Sequence, residues 1–215
     1  ITYRGLPAPV ICDYWSREYS RQHYTGDTSF QIGKIEMVAN TGTYLDSPFH
    51  RFEDGKDLAE LPLTSLADLE AMVIRWDSQE QRAIDASAFR DLNLRGMAVL
   101  IHTGWDRYWR TDHYFEGHPF LTAGAAEYLV EAGAALVGID SLNIDDTGDG
   151  RRPVHTALLR AEIPIVEGFP ITLIFDQPEG QAGGKSACNQ WFSSYTLSGN
   201  ELTFGLLLGS WLLWG

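Results

Sequence analysis

The sequence predicts an α/β fold with a mixed sheet, and three observations carry that prediction. Continuous apolar runs at 97–102, 135–139 and 163–166 have the length and composition of buried strands. A stretch with helical apolar spacing, 122–132, lies between the first two, so strand, helix and strand alternate with some parallel pairing. At 215 residues, 44% apolar and 21% charged, the chain is long enough to bury a sizeable core as a single domain over 1–215.

In chain order, residues 1–9 read as an extended start, and upstream residues are expected to be missing because no Met begins the chain. Gly42 and Pro48 argue that the segment 40–50 is a loop rather than a helix. Asp54-Gly55 marks a turn, and Leu58, Leu61, Leu63 and Leu66 form an irregular arm. Residues 71–76 are a strand candidate, and Asp85 is placed to cap a short helix over 86–92. Thr122 is placed to cap the helix to Ala132, with Gly133 closing it and positions 125, 128, 129 and 132 on one face. The strand at 135–139 ends at Asp140, and the strand at 163–166 ends at Glu167. Residues 177–186 are Gly-rich and read as a loop, and 202–214 as one or two strands.

The net charge of −13 disfavours nucleic acid and anionic membrane as partners. Cys12 and Cys188 form no CxxC motif, so a reducing, cytoplasmic setting is the default. The apolar tail, 203–215, is too short for a bilayer, which needs about 20 residues. It reads as a buried terminal strand or a dimer contact, with a membrane anchor as the remaining alternative.

Chemistry concentrates at strand ends and in one loop. Asp46 and His50 stand four apart beside Pro48, a pairing that serves metal binding or proton transfer, or merely a capped turn and a surface His. Asp140, Asn143, Asp145 and Asp146 follow one strand, His155 lies past a turn, and Glu167 ends another strand. The carboxyl ends of strands are where α/β sheets build sites. His102-Thr-Gly-Trp-Asp106 ends a further strand; its Trp105 reads equally as a pocket wall or a core aromatic. His113 and His118 sit in an expected surface loop, with no role assigned.

Residues 40–50, Asn-Thr-Gly-Thr-Tyr-Leu-Asp-Ser-Pro-Phe-His, resemble the signature of the putative cyclase family, which includes bacterial kynurenine formamidases and isatin hydrolases. That signature runs His-x-Gly-Thr-His-x-Asp-x-Pro-x-His, and Gly42, Thr43, Asp46, Pro48 and His50 match it. Val137-Gly-Ile-Asp140-Ser141, His155-Thr-Ala-Leu-Leu159 and residues 163–167 continue the resemblance over roughly 3–168; residues 177–215 do not align. The resemblance implies a swivelling β/β/α arrangement, an N-terminal strand before Ile1, and a homodimer. It implies Asp46, His155 and Glu167 as metal ligands and His50 as general acid/base. It further implies a metal-activated water that cleaves a small cyclic or aryl amide, lactam or lactone, with no organic cofactor.

Two signature histidines are replaced, by Asn40 and Tyr44. An Asn carbonyl is a harder, weaker donor, and a neutral Tyr hydroxyl is a poor ligand that suits a hydrogen bond to a substrate carbonyl or oxyanion. Three alternatives therefore stay open. One is a single divalent ion (Mn or Zn, Mg less favoured) held by Asp46, His155, Glu167 and Asn40. The others are a metal-independent cyclase, lyase or dehydratase using His50, with Tyr44 or Asp46 assisting, and a non-catalytic binding pocket. Phe49, Tyr44, Trp105 and Trp109 suggest an aromatic lining for a small-molecule substrate.

Overall fold

The computed structural model describes residues 7–77 and 81–168, together with the backbone of the strands at 172–176, 181–186, 189–198, 201–204 and 208–210. The chain divides into two compact units, Ile1–Gly42 and Thr43–Gly215. No helix among the described residues is long and apolar enough to cross a membrane.

The first unit is a hairpin. Strand β1 (Val10–Trp15) pairs antiparallel with β2 (Ile32–Glu36), in register Val10 to Glu36, with an irregularity between Asp13 and Trp15. Helix α1 (Arg17–Arg21) starts where the Ser16 side chain accepts the Tyr19 N–H. The hairpin's strands are exposed, Ile11 at 75% and Ile35 at 68%, which is why no buried-strand pattern announces them in the sequence.

In the second unit, β3 (Tyr44–Asp46) is followed by a one-turn 3-10 helix at Pro48–His50. The segment expected to be a loop throughout is therefore a short strand and then a turn. Its three strand residues pair antiparallel with Ile165–Glu167, a partner about 120 residues away that no local pattern reveals. Strand β4 (Ala71–Arg75), the two-residue β5 (Ala83–Ile84) and β6 (Ala98–His102) follow. Asp85 caps a 3-10 turn at Ala86–Phe89, shorter than the helix expected to reach 92. Leu61 is buried and Leu63 starts a 3-10 turn in the irregular arm.

Strand β7 (Phe120–Leu121) pairs with β5 and leads into α2 (Ala123–Ala132). Here the expected caps are in place: the Thr122 hydroxyl accepts the Ala125 N–H, and Gly133 adopts φ 76°. Ala125 and Leu129 are buried, and Tyr128 and Ala132 pack against the core. Strand β8 (Leu136–Ile139) leads through an Asp- and Gly-containing loop to α3 (Pro153–Arg160), then β9 (Ile165–Glu167). His155, expected past a turn, stands in the first turn of this helix, with Pro153 at its start.

Strands β4, β6, β8 and β9 pair in parallel at the centre of a mixed sheet, with β3 antiparallel at its edge. The segment after β9 adds β10 (Thr172–Asp176), β11 (Gln181–Ser186), β12 (Asn189–Ser198), β13 (Glu201–Phe204) and β14 (Leu208–Ser210). Residues 181–186 are therefore a strand and not the expected loop. Backbone ladders need no side chains, and Gly183 and Gly184 pair with Ile174 and Leu173. Residues 177–180, Cys188 and 211–215 lie outside the described residues. One apolar cluster, including Val99, Ile101, Val137, Leu129, Leu158 and Ile165, joins α2 and α3 to the sheet. This places the ends of β6, β8 and β9 side by side, where the polar residues stand.

Candidate active site

The pairing of β3 with β9 sets Tyr44 opposite Glu167 and Asp46 opposite Ile165. The 3-10 turn then carries His50 back, and its Nδ1 lies 3.4 Å from Asp46 Oδ1. Asp46 is buried, whereas the His50 side chain is 43% exposed. Gly55 makes the turn possible. A Cβ there would lie 2.6 Å from the Pro48 carbonyl carbon and 2.9 Å from the Phe49 nitrogen.

His155 is the hub. Its Nδ1 lies 2.6 Å from Asp145 Oδ2, and its Nε2 lies 3.5 Å from Glu167 Oε1 and 3.7 Å from Asp46 Oδ2. Asp145 also accepts the backbone N–H groups of Val154 and His155, which tethers it to the first turn of α3. A carboxylate only accepts, so Nδ1 carries the hydrogen and Nε2 is presented to Asp46 and Glu167. Glu167 is fixed as firmly. Its Oε1 accepts the Ile144 N–H at 2.6 Å, and its Oε2 accepts the Tyr44 hydroxyl at 2.7 Å and the Asn143 amide at 3.1 Å.

The charges are arranged around this imidazole. Burial disfavours the charged form of His155, but hydrogen bonds to Asp145 and Asp46 and the charges of Glu167 and Asp145 outweigh it and raise the pKa to about 9. Burial pushes the Glu167 carboxyl up, against the pull of His155, Tyr44 and the Ile144 N–H. Burial also opposes ionisation of Asp145, yet its hydrogen bonds from His155 and Val154 hold it below the usual carboxylate value.

The donor set fits a divalent ion. Two ligand atoms on a zinc ion with bonds of about 2.0–2.2 Å stand about 3.4 Å apart. The separations of 3.5 and 3.7 Å from Nε2 to the two carboxylate oxygens are of that size. Asp46, His50 and His155 also offer ligand atoms within 4.8 Å of one another. One imidazole nitrogen and two carboxylates suit zinc or manganese.

Of the residues singled out in the sequence, Asp46, His50, His155 and Glu167 converge. Tyr44 joins them by hydrogen-bonding Glu167. Phe49 is 57% exposed and borders, with Asp46, His50 and Leu58, a cavity of about 510 Å³. Asn40 belongs to the first unit, whereas all the geometry above lies in the second. Trp105 is not brought to this cavity. It is buried, its indole N–H bonded to the Tyr114 carbonyl and its ring against Tyr108 and His113, which is the core-aromatic reading of it. His118, expected in a surface loop, is buried between Pro119 and Thr147.

In the sequence Asp145 reads as one of a run of loop carboxylates, whereas in the structure it is fully buried and holds the hub. The signal available was its place, nine residues before Val154, ahead of a helix whose own N-cap, Arg152, supplies no side-chain bond.

Comparison with known proteins bears on the family and the fold. The profile of the Cyclase family, described as Putative cyclase, matches residues 8–146. A META domain profile matches residues 159–210, a span that contains most of the tail left unaligned by the signature. Kynurenine formamidase from Geobacillus thermodenitrificans is 33% identical over 143 residues, 66% of this chain and 66% of that protein. Kynurenine formamidase from Bacillus cereus is 27% identical over 163 residues, 75% of this chain and 72% of that protein. Among solved structures, an isatin hydrolase bound to the product analogue thioisatinate superposes with a TM-score of 0.62 at 16% identity, covering 94% of this chain and 84% of that one. A potential metal-dependent hydrolase with cyclase activity gives 0.61 at 23% identity, over 96% and 92%. At these identities the two structures speak for the fold. His155 and Glu167 lie beyond the Cyclase match, so their place in the site rests on the distances above.

Proposed function

Because this chain belongs to the putative cyclase family, we propose that it is a hydrolase that opens a small cyclic or aryl amide, lactam or lactone, as an arylformamidase acting on C–N bonds does. The observation that carries this reading is the convergence of Asp46, His155 and Glu167 on one point beside an exposed His50.

Asp46, His155 and Glu167 are the residues that would hold a zinc or manganese ion. Such an ion, when bound, supplies Lewis-acid polarisation of the carbonyl and a water of lowered pKa. Every other part belongs to the chain itself. Asp145 fixes the His155 tautomer, and Tyr44, Asn143 and the Ile144 N–H fix the Glu167 carboxylate. His50 stands at the cavity mouth with Asp46 beside its Nδ1, placed to take a proton from the attacking water and return it to the leaving nitrogen. Phe49 and Leu58 give the cavity an apolar border suited to a flat ring. Tyr44, bonded to Glu167, acts by orienting it.

The exposed apolar hairpin β1–β2, with Ile11, Tyr14 and Ile35 on its surface, supports a homodimer. We place this enzyme in the cytoplasm, in keeping with the free, exposed Cys12.

Turnover of N-formylkynurenine and isatin by the purified protein, before and after chelation and after return of zinc or manganese, tests the reading. Activity lost on chelation and restored by the ion is the expected result. Full activity in metal-free protein overturns the metal-dependent reading.

A further inference from the structure

The strand-end motif His102-Thr-Gly-Trp-Asp106 takes no part in the site above, yet it is highly organised. Asp140, at the end of β8, reaches across to the turn that ends β6. Its Oδ1 accepts the Thr103 N–H at 2.8 Å and the Thr103 hydroxyl at 2.6 Å, and its Oδ2 accepts the Gly104 N–H at 2.8 Å. These bonds explain Asp140. They do not explain why His102 and Asp106 also face it, with His102 Nε2 4.0 Å from Asp140 Oδ2. One ligand atom from each of the three lies within 4.8 Å of the others. His102 and Asp106 border a cavity of about 690 Å³ with Arg75, Trp76, Asp77 and Arg107.

We infer that His102, Asp106 and Asp140 form a second divalent-cation site, sharing no residue with the Asp46–His155–Glu167 site. The donor chemistry is one imidazole nitrogen and two carboxylate oxygens, which suits zinc or manganese. The carboxylate of Asp140 is already oriented by its three hydrogen bonds, as ligating carboxylates are. The half-exposed His102 side chain (52%) has room to turn and close the roughly 0.6 Å by which the 4.0 Å separation exceeds the ligand spacing of about 3.4 Å.

Arg107, one of the two arginines bordering the cavity, is held by other contacts. Arg107 donates its Nε–H to the Gly104 carbonyl and lies over the Tyr108 ring. Burial, followed by the negative charge of Asp140, raises the Asp106 carboxyl above its ordinary value, against the pull of His102 and Arg107. An added cation between the two carboxylates relieves that repulsion. The side facing the cavity leaves room for water or for a carbonyl or carboxylate oxygen of a small ligand.

The inference does not depend on the proposed hydrolase activity, and the same titration separates the two. Chelator-stripped protein is dialysed against zinc, and zinc per chain is measured for the wild type, His102→Ala, Asp106→Asn and His155→Ala, with thermal unfolding as the check on folding. The wild type is expected to hold one equivalent more than either His102→Ala or Asp106→Asn. His155→Ala loses a different equivalent, so the double variant His102→Ala/His155→Ala loses both. If folded His102→Ala and Asp106→Asn bind as much zinc as the wild type, with the same affinity, the second site does not exist. A loss seen only in His155→Ala removes this inference and leaves the hydrolase site standing. A loss seen only in His102→Ala and Asp106→Asn does the reverse.

Discussion

The Nδ1 of His155 lies 2.6 Å from Oδ2 of Asp145, and both side chains are buried. Through that bond the loop after β8 decides which way the imidazole of α3 faces. Asp145→Asn replaces an acceptor-only carboxylate by an amide that can also donate, so the Nδ1–H tautomer is no longer enforced. The expected outcome is a loss of about 10–100-fold in ion affinity and in turnover, read by metal titration and kinetics on the same preparation.

His50 has a different job and a different signature. His50→Ala is expected to lower kcat by about 100-fold or more while metal content is unchanged, because Asp46, His155 and Glu167 remain. A variant with unaltered turnover removes His50 from the mechanism.

Tyr44 holds one oxygen of a carboxylate that has almost no access to water. Tyr44→Phe deletes that donor and leaves the carboxylate with the Asn143 and Ile144 bonds. A stability loss of about 1–3 kcal/mol is expected, measured by urea unfolding, with a weaker ion site if Glu167 turns.

The pH dependence of the metal-free protein follows from His155. Its folded pKa is about 9 against an ordinary 6.5, so the folded state binds this proton more tightly than the unfolded chain does. The stabilisation is fully present below about pH 6.5 and is lost as the pH rises through 9, to the extent of roughly 3 kcal/mol. Thermal unfolding of chelated protein should therefore weaken across that window, and His155→Gln should flatten the dependence.

Gly55 is required by contact. An added methyl group meets the backbone of Pro48 and Phe49 at 2.6–2.9 Å, and backbone cannot swing aside as a long side chain can. Gly55→Ala is expected to destabilise the protein by about 1–3 kcal/mol and to displace His50, lowering kcat/KM as well. Full activity with an unchanged melting temperature contradicts this account of the turn.

The sequence by itself determined the central sheet and the helix between its strands. Ala98, Val99, Leu100 and Ile101, like Leu136, Val137 and Ile139, are apolar in succession because alternate residues pack into two different clusters, and Thr122 and Gly133 cap α2 through bonds that span only a few residues. It also determined the signature residues Asp46 and His50, whose spacing is local. Only the tertiary structure decided the rest. Tyr44 and Glu167 are 123 residues apart and meet because β3 pairs with β9. Asp145 reads as one loop acid among several until α3 folds back and makes it the partner of His155. Trp105 fits a pocket wall as well as a core until Tyr114 accepts its N–H. Periodicity and caps report interactions within a few residues, whereas the partner of a strand edge or a buried charge is chosen by the chain's path through space.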